Sequence, residues 1–114
     1  MPNTELDLTT FEELKQMSGA DFIGELVDTY LEDAPKLLQE MRSALQSRDA
    51  ESFRRAAHSL KSNSATFGAN HLSALAKELE MLGRENKLGE VGDRLAVVET
   101  TYQSVADELK GLGK

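Results

Sequence analysis

Apolar residues recur at alternating steps of three and four along most of this 114-residue chain. That spacing is the period of a helix with one buried face. In one segment Ile23, Val27, Tyr30, Ala34, Leu37, Met41 and Leu45 keep the step, with Phe22, Leu26, Leu31 and Leu38 widening the stripe. Phe53, Ala57, Leu60, Ser64 and Phe67 form a second stripe, and Leu72, Leu75, Leu79 and Leu82 a third. The last runs from Val91 through Leu95, Val98, Tyr102, Val105 and Leu109 to Leu112. Each stripe has to be covered by another, and short connections allow only neighbouring helices to cover it. The pattern predicts an all-α protein, an antiparallel up-down-up-down four-helix bundle. A short helix over Leu8 to Gly19, apolar at Phe11, Leu14 and Met17, is expected to cap one end.

Polar and special residues punctuate the stripes. Thr10 with Glu13 reads as a capping box for the first helix, Asp21 as the N-cap of the second and Asn70 as the N-cap of the fourth. Asp49 is placed to cap the third, after the second ends near Arg48. Gly19 and Gly68 suit the left-handed backbone that stops a helix. Pro35 removes one backbone hydrogen bond from the second helix, so a kink is expected between Leu31 and Pro35 rather than a full break. Gly83 should weaken the fourth helix by about 1 kcal/mol relative to alanine. Gly89 and Gly92 bracket the following turn, and Gly111 and Gly113 mark where the last helix frays.

One domain over residues 1–114 is enough to bury one core. There is no cysteine and there are only two histidines, so a disulfide framework, a zinc site and a cysteine nucleophile are excluded. No run of about 18 apolar residues exists. The opening Met1-Pro2-Asn3-Thr4-Glu5 lacks the basic and apolar regions of a secretory signal. These features predict a cytoplasmic protein, and the start at Met1 is read as that of a free-standing one. A net charge of −7 disfavours nucleic acid and anionic membranes as partners. One core accounts for all the stripes, which predicts a monomer.

Against this acidic background, His58 stands in a locally basic stretch. It lies about 150° around the wheel from the Phe53–Phe67 stripe and should face water. Arg54 and Arg55 precede it by one turn, Lys61 and Ser62 follow by one turn, and Ala65 by two. An ordinary imidazole is roughly three-quarters neutral at pH 7 and needs no general base to act as a nucleophile. Phosphoryl transfer asks mainly for positioning and charge neutralisation, and the Lys61 ammonium can meet phosphate oxygens. The small residues Ser62 and Ala65 would let another protein close over the imidazole. This combination points to a phosphate-accepting histidine.

The stretch His58-Ser59-Leu60-Lys61-Ser62-Asn63-Ser64-Ala65-Thr66-Phe67-Gly68-Ala69 resembles the signature of histidine-containing phosphotransfer domains. The likeness extends to Phe22–Pro35, with its Glu32-Asp33-Ala34-Pro35 segment, and to Leu72–Glu80. The resemblance implies that His58 carries the phosphoryl group on Nε2 and that Lys61 lies beside it. Ser62 stands where many members have glycine, and Gly68 matches the glycine that ends the active-site helix. Glu80 occupies the position from which some members hydrogen-bond the histidine Nδ1. Partners would be receiver domains of response regulators or a hybrid histidine kinase. No cofactor or metal site is expected on this chain, Mg²⁺ belonging to the receiver's acidic pocket. With no Gly-rich nucleotide loop and none of a kinase's ATP-binding motifs, autophosphorylation from ATP is not expected.

Blander readings stand beside these. His71 has no such context and reads as a solvated residue near a helix end. Arg54 and Arg55 are either a solvated face or a means of attracting an acidic receiver pocket. Two other functions compete with the relay: a bundle that binds receiver or kinase domains without carrying phosphate, and an acidic adaptor unrelated to signalling. The first has no need of His58 with Lys61, and the second leaves the small-residue run unexplained.

Overall fold

The computed structural model describes residues 6–112. The expectations placed on Met1 to Glu5 and on Gly113 lie outside them. In chain order come α1 (Leu8–Ser18), α2 (Ala20–Ser47), α3 (Ala50–Thr66), α4 (Asn70–Arg84) and α5 (Arg94–Leu112), with a single 3-10 turn at Leu88–Glu90. No strand occurs among the described residues. Helices α2 to α5 form the four-helix bundle and α1 caps it, as the periodicity requires. The most extensive packing is between α3 and α4, followed by α2 against α3.

The α3 stripe behaves as its spacing predicts: Phe53, Ala57, Leu60, Ser64 and Phe67 are all buried. Asp49 accepts from the Ser52 backbone N–H at 3.1 Å and starts the helix. Gly68 ends the connection with φ at 83°, and an added Cβ there would come within 2.7 Å of the Asp7 carbonyl oxygen. The close approach is used, because Asp7 N–H donates to the Gly68 carbonyl at 2.8 Å and ties the capping helix to the end of α3.

Three of the expected caps are displaced. α1 is capped by Asp7, whose carboxylate accepts from the backbone N–H groups of Thr9 and Thr10, so Thr10 lies inside the helix. The Gly68 tether fixes Asp7 at the entry. α2 begins at Ala20 because the Gly19 carbonyl, at φ 93°, already accepts from Ile23 N–H at 3.1 Å. Asp21 therefore sits in the first turn, where its charge favours the positive end of the helix dipole. Likewise the Ala69 carbonyl accepts from Ser73 N–H at 2.9 Å, which makes Asn70 the first helical residue.

The stripes also need adjustment. Met17 is 86% exposed, because the three-four step from Phe11 through Leu14 arrives at Ser18. Along α2, Leu38 of the widened stripe is buried and so is Ala44, whereas Leu37 and Leu45 are half-buried at the edge. Over 28 residues a strict three-four alternation drifts from the true helical period. In α4 the innermost residues are Leu72, Ala76, Leu79, Glu80 and Gly83, with Leu75 and Leu82 half-buried. Val91 is buried in the turn before α5, and Leu112 is 42% exposed.

α2 passes through Pro35 without a break. Proline withholds an N–H from the carbonyl four residues earlier, that of Leu31. The Tyr102 hydroxyl donates to this carbonyl, at a long 3.5 Å. Nearby, the Tyr30 hydroxyl is hydrogen-bonded to Ser64 Oγ at 2.8 Å, and the Tyr30 ring packs on Phe67 and Tyr102 with centroids 5.1 and 5.9 Å away.

Candidate active site

Because Ala57 and Leu60 are driven into the core, the next residue in each case, His58 or Lys61, turns outward. The His58 side chain is 54% exposed and that of Lys61 27%. Ser62 and Ala65, both small, are exposed further along the same face.

α4 runs antiparallel beside this face and delivers Glu80, a residue only 2% exposed. Its carboxylate gathers three donors. His58 Nδ1 lies 2.8 Å from Oε2, Lys61 Nζ lies 2.7 Å from Oε1, and Arg84 Nη2 lies 3.2 Å from Oε2. An ionised carboxylate can only accept, so Nδ1 carries the proton. In the neutral ring Nε2 is then the unprotonated nitrogen, the one not bound to the carboxylate.

Burial alone would raise the Glu80 pKa by disfavouring the anion. The hydrogen bonds from Lys61 and then His58, with the Lys61 and His58 charges behind them, outweigh burial and hold it below the ordinary carboxylate value. Glu80 lies under a lid of long, partly hydrated side chains rather than deep in the apolar core, which is why an ion is tolerated there.

Lys61 is thus bound to Glu80, although an ammonium has three donors and keeps others for an incoming anion. Arg54 is paired with Glu51 one turn earlier on α3, and Arg55 Nε lies 4.0 Å from the same carboxylate. The basic look of the sequence there is partly cancelled by Glu51. The residues that sequence reasoning missed are Arg84, Gly83 and Glu51. The first two stand four and three places after Glu80, and their meaning depends on how closely α4 approaches α3.

Among the described residues no group of three or more His, Cys, Asp or Glu side chains could hold a metal ion, and no helix is long and apolar enough to cross a membrane. A groove of about 500 Å³ runs between α2 and α3 past Ser43, Ser52, Arg55 and Ser59, and His58 does not line it.

Residues 25–109 match the Hpt domain family. The chain is similar over its whole length to histidine-containing phosphotransfer protein B (HptB) of Pseudomonas aeruginosa PAO1. That crystal structure superposes with a TM-score of 0.83 at 29% identity, covering 98% of this chain and 96% of that one. This chain is also 36% identical over 75 residues to the sensor protein TorS of Escherichia coli K12. That match takes in 66% of this chain and 8% of the far longer sensor. The chain belongs to the Hpt family, the histidine phosphotransfer domains of two-component phosphorelays.

Proposed function

We propose that His58 is the phosphoryl-carrying residue of this domain and exchanges the group with aspartates of receiver domains. The observation that carries this reading is the Glu80 carboxylate at 2.8 Å from Nδ1, which leaves Nε2 as the nucleophile. In the forward step the Nε2 lone pair forms a bond to phosphorus of a receiver aspartyl phosphate. The bond from phosphorus to the aspartate oxygen breaks, and the receiver carboxylate leaves. Positive charge develops on the imidazole as this happens, and Glu80, through the Nδ1 proton, opposes it. Lys61 offers spare donors to the phosphoryl oxygens. The return step reverses the same bonds toward another receiver. Mg²⁺ would be held by the receiver's acidic pocket.

His58 stands half-exposed on α3 and outside the groove between α2 and α3, which suits a protein partner that brings the rest of the active site. Ser62 and Ala65 supply clearance for it, and Arg54 and Arg55, screened by Glu51, act on encounter rate more than on affinity. Gly68 secures the end of the site helix. A hybrid kinase or response-regulator receiver is the expected partner, and a cytoplasmic setting follows from such partners. A bundle that only bound receivers would have no need of a buried carboxylate on Nδ1.

The test is transfer from a phosphorylated receiver domain, followed as acid-labile, base-stable phosphate on this protein. Labelling is expected in the wild type and absent in His58→Gln. Undiminished labelling of the variant, or none of the wild type with any of several receivers, contradicts the reading.

A further inference from the structure

The fold brings α3 and α4 together at two points that bracket Glu80. At one, Ser73 Oγ on α4 donates to the Lys61 carbonyl on α3 at 3.0 Å. At the other, Gly83 faces the backbone of Arg54. A Cβ on Gly83 would lie 3.1 Å from Arg54 Cα, Cβ and N, closer than packed atoms normally come. Two of these three are backbone atoms of a helix and cannot rotate aside. On α3 the brackets fall at positions 54 and 61, with His58 between them. On α4 they fall at 73 and 83, with Glu80 between them and one turn from the glycine. Ala57 and Ala76 are also fully buried, consistent with a tight seam.

We propose that Gly83 is a positioning residue for the relay: its missing side chain sets the α3–α4 separation that lets Glu80 reach His58 Nδ1. Glu80 makes both bonds in one rotamer, Oε2 at 2.8 Å from Nδ1 and Oε1 at 2.7 Å from Lys61 Nζ. Pushing α4 outward by a few tenths of an ångström lengthens the Nδ1 bond first, because the short His58 side chain has little reach, whereas the longer Lys61 side chain can follow the carboxylate. Alanine forms helix better than glycine, so the substitution gains local stability while it spoils the seam. A site effect without a matching loss of fold is therefore the expected signature. The glycine that the periodic pattern marks as a weak point of α4 is in this view a requirement of the site.

The inference deepens the phosphocarrier reading and rests on it for its rate arm alone. The experiment compares wild type with Gly83→Ala, and with each of these in a Glu80→Ala background. ¹⁵N NMR of His58 reports which ring nitrogen is protonated. Phosphoramidate serves as phosphodonor, its P–N bond breaking as the bond to Nε2 forms and ammonia leaves. In Gly83→Ala the ¹⁵N shifts should move away from the Nδ1–H form, and phosphorylation should slow about three- to tenfold, as expected for a small misplacement. In the Glu80→Ala background Gly83→Ala should change the rate less than twofold. Gly89→Ala, whose Cβ would meet nothing within 4 Å, should leave both signals in place. If Gly83→Ala does not fold, Ser73→Ala opens the other bracket without adding bulk and should move the His58 shifts the same way. Unchanged His58 shifts, or equal slowing with and without Glu80, overturns the proposal. Failure of the histidine to accept phosphate in the wild type would instead overturn the phosphocarrier reading, leaving the ¹⁵N arm to decide the role of Gly83.

Discussion

Glu80 and Tyr30 are both buried polar side chains, and they are kept in opposite states. Tyr30 is 3% exposed among Phe67, Tyr102 and the α3 core. Burial pushes its phenol far above the ordinary value, more than the Ser64 hydrogen bond lowers it. It stays neutral and serves the packing. Glu80 is covered just as completely, yet by Lys61, His58 and Arg84, so the balance falls the other way and the carboxylate stays ionised. Equal loss of contact with water therefore decides little, since Glu80 lies shallow beneath polar side chains and Tyr30 deep among apolar ones. What decides is whether the covering groups are apolar rings or donors that carry charge. One bundle thus holds a structural polar pair near its axis and a charged device under its surface.

Replacing Glu80 with alanine should give the larger effect on function. Phosphorylation of His58 is expected to slow by about 10- to 100-fold as Nδ1 loses its acceptor and the ring its orientation. The melting temperature should change by only a few degrees, since Lys61 and Arg84 can turn into water. A rate equal to wild type would remove the distinction between the two sites.

Tyr30→Phe should invert that result. Loss of the hydroxyl leaves Ser64 Oγ, which is fully buried, without this partner and costs about 1–2 kcal/mol in denaturant unfolding. The phosphorylation rate should be unaltered, and slowing beyond twofold would mean that the core pair and the site are coupled.

Acid sharpens the contrast by acting on one site alone. The folded Glu80 pKa lies below its unfolded value, so its contribution to stability is complete above the ordinary carboxylate range and is lost as pH falls through the folded pKa. The Nδ1–H pairing should thus persist through the ordinary carboxylate range and fail only below it. Tyr30, neutral throughout, should show no change in that window. Loss of the His58 pairing already near pH 6 would contradict the balance assigned to Glu80.

Much of this was readable before any coordinates. The α3 stripe, the outward turn of His58, the Asp49 cap and the Gly68 stop all follow from local periodicity and turn chemistry. The site motif was legible for the same reason, since it lies on one continuous helix. The caps at Thr10, Asp21 and Asn70 were misplaced because helix starts depend on which carbonyl is already engaged, and the tether from Asp7 to Gly68 links residues distant in sequence. Leu38, on the widened stripe, is buried as expected, while Ala44 rather than Leu45 is innermost because a long helix does not hold an alternating count. Arg84 carried one usable signal, its four-residue spacing from Glu80 on a helix. Gly83 carried another, a glycine amid the leucines of an amphipathic helix, but its use required knowing that Arg54 lies opposite.

The central claim is that Glu80 holds the Nδ1 proton of His58 and so directs phosphate to Nε2. Long-range ¹H–¹⁵N spectra of the protein before and after treatment with phosphoramidate test it most directly. At a pH where the ring is neutral, the account predicts the proton on Nδ1 beforehand, and afterwards a phosphorus bond at Nε2 of His58 with Nδ1 still protonated. Phosphate on Nδ1, or a neutral free ring with its one proton on Nε2, would contradict it.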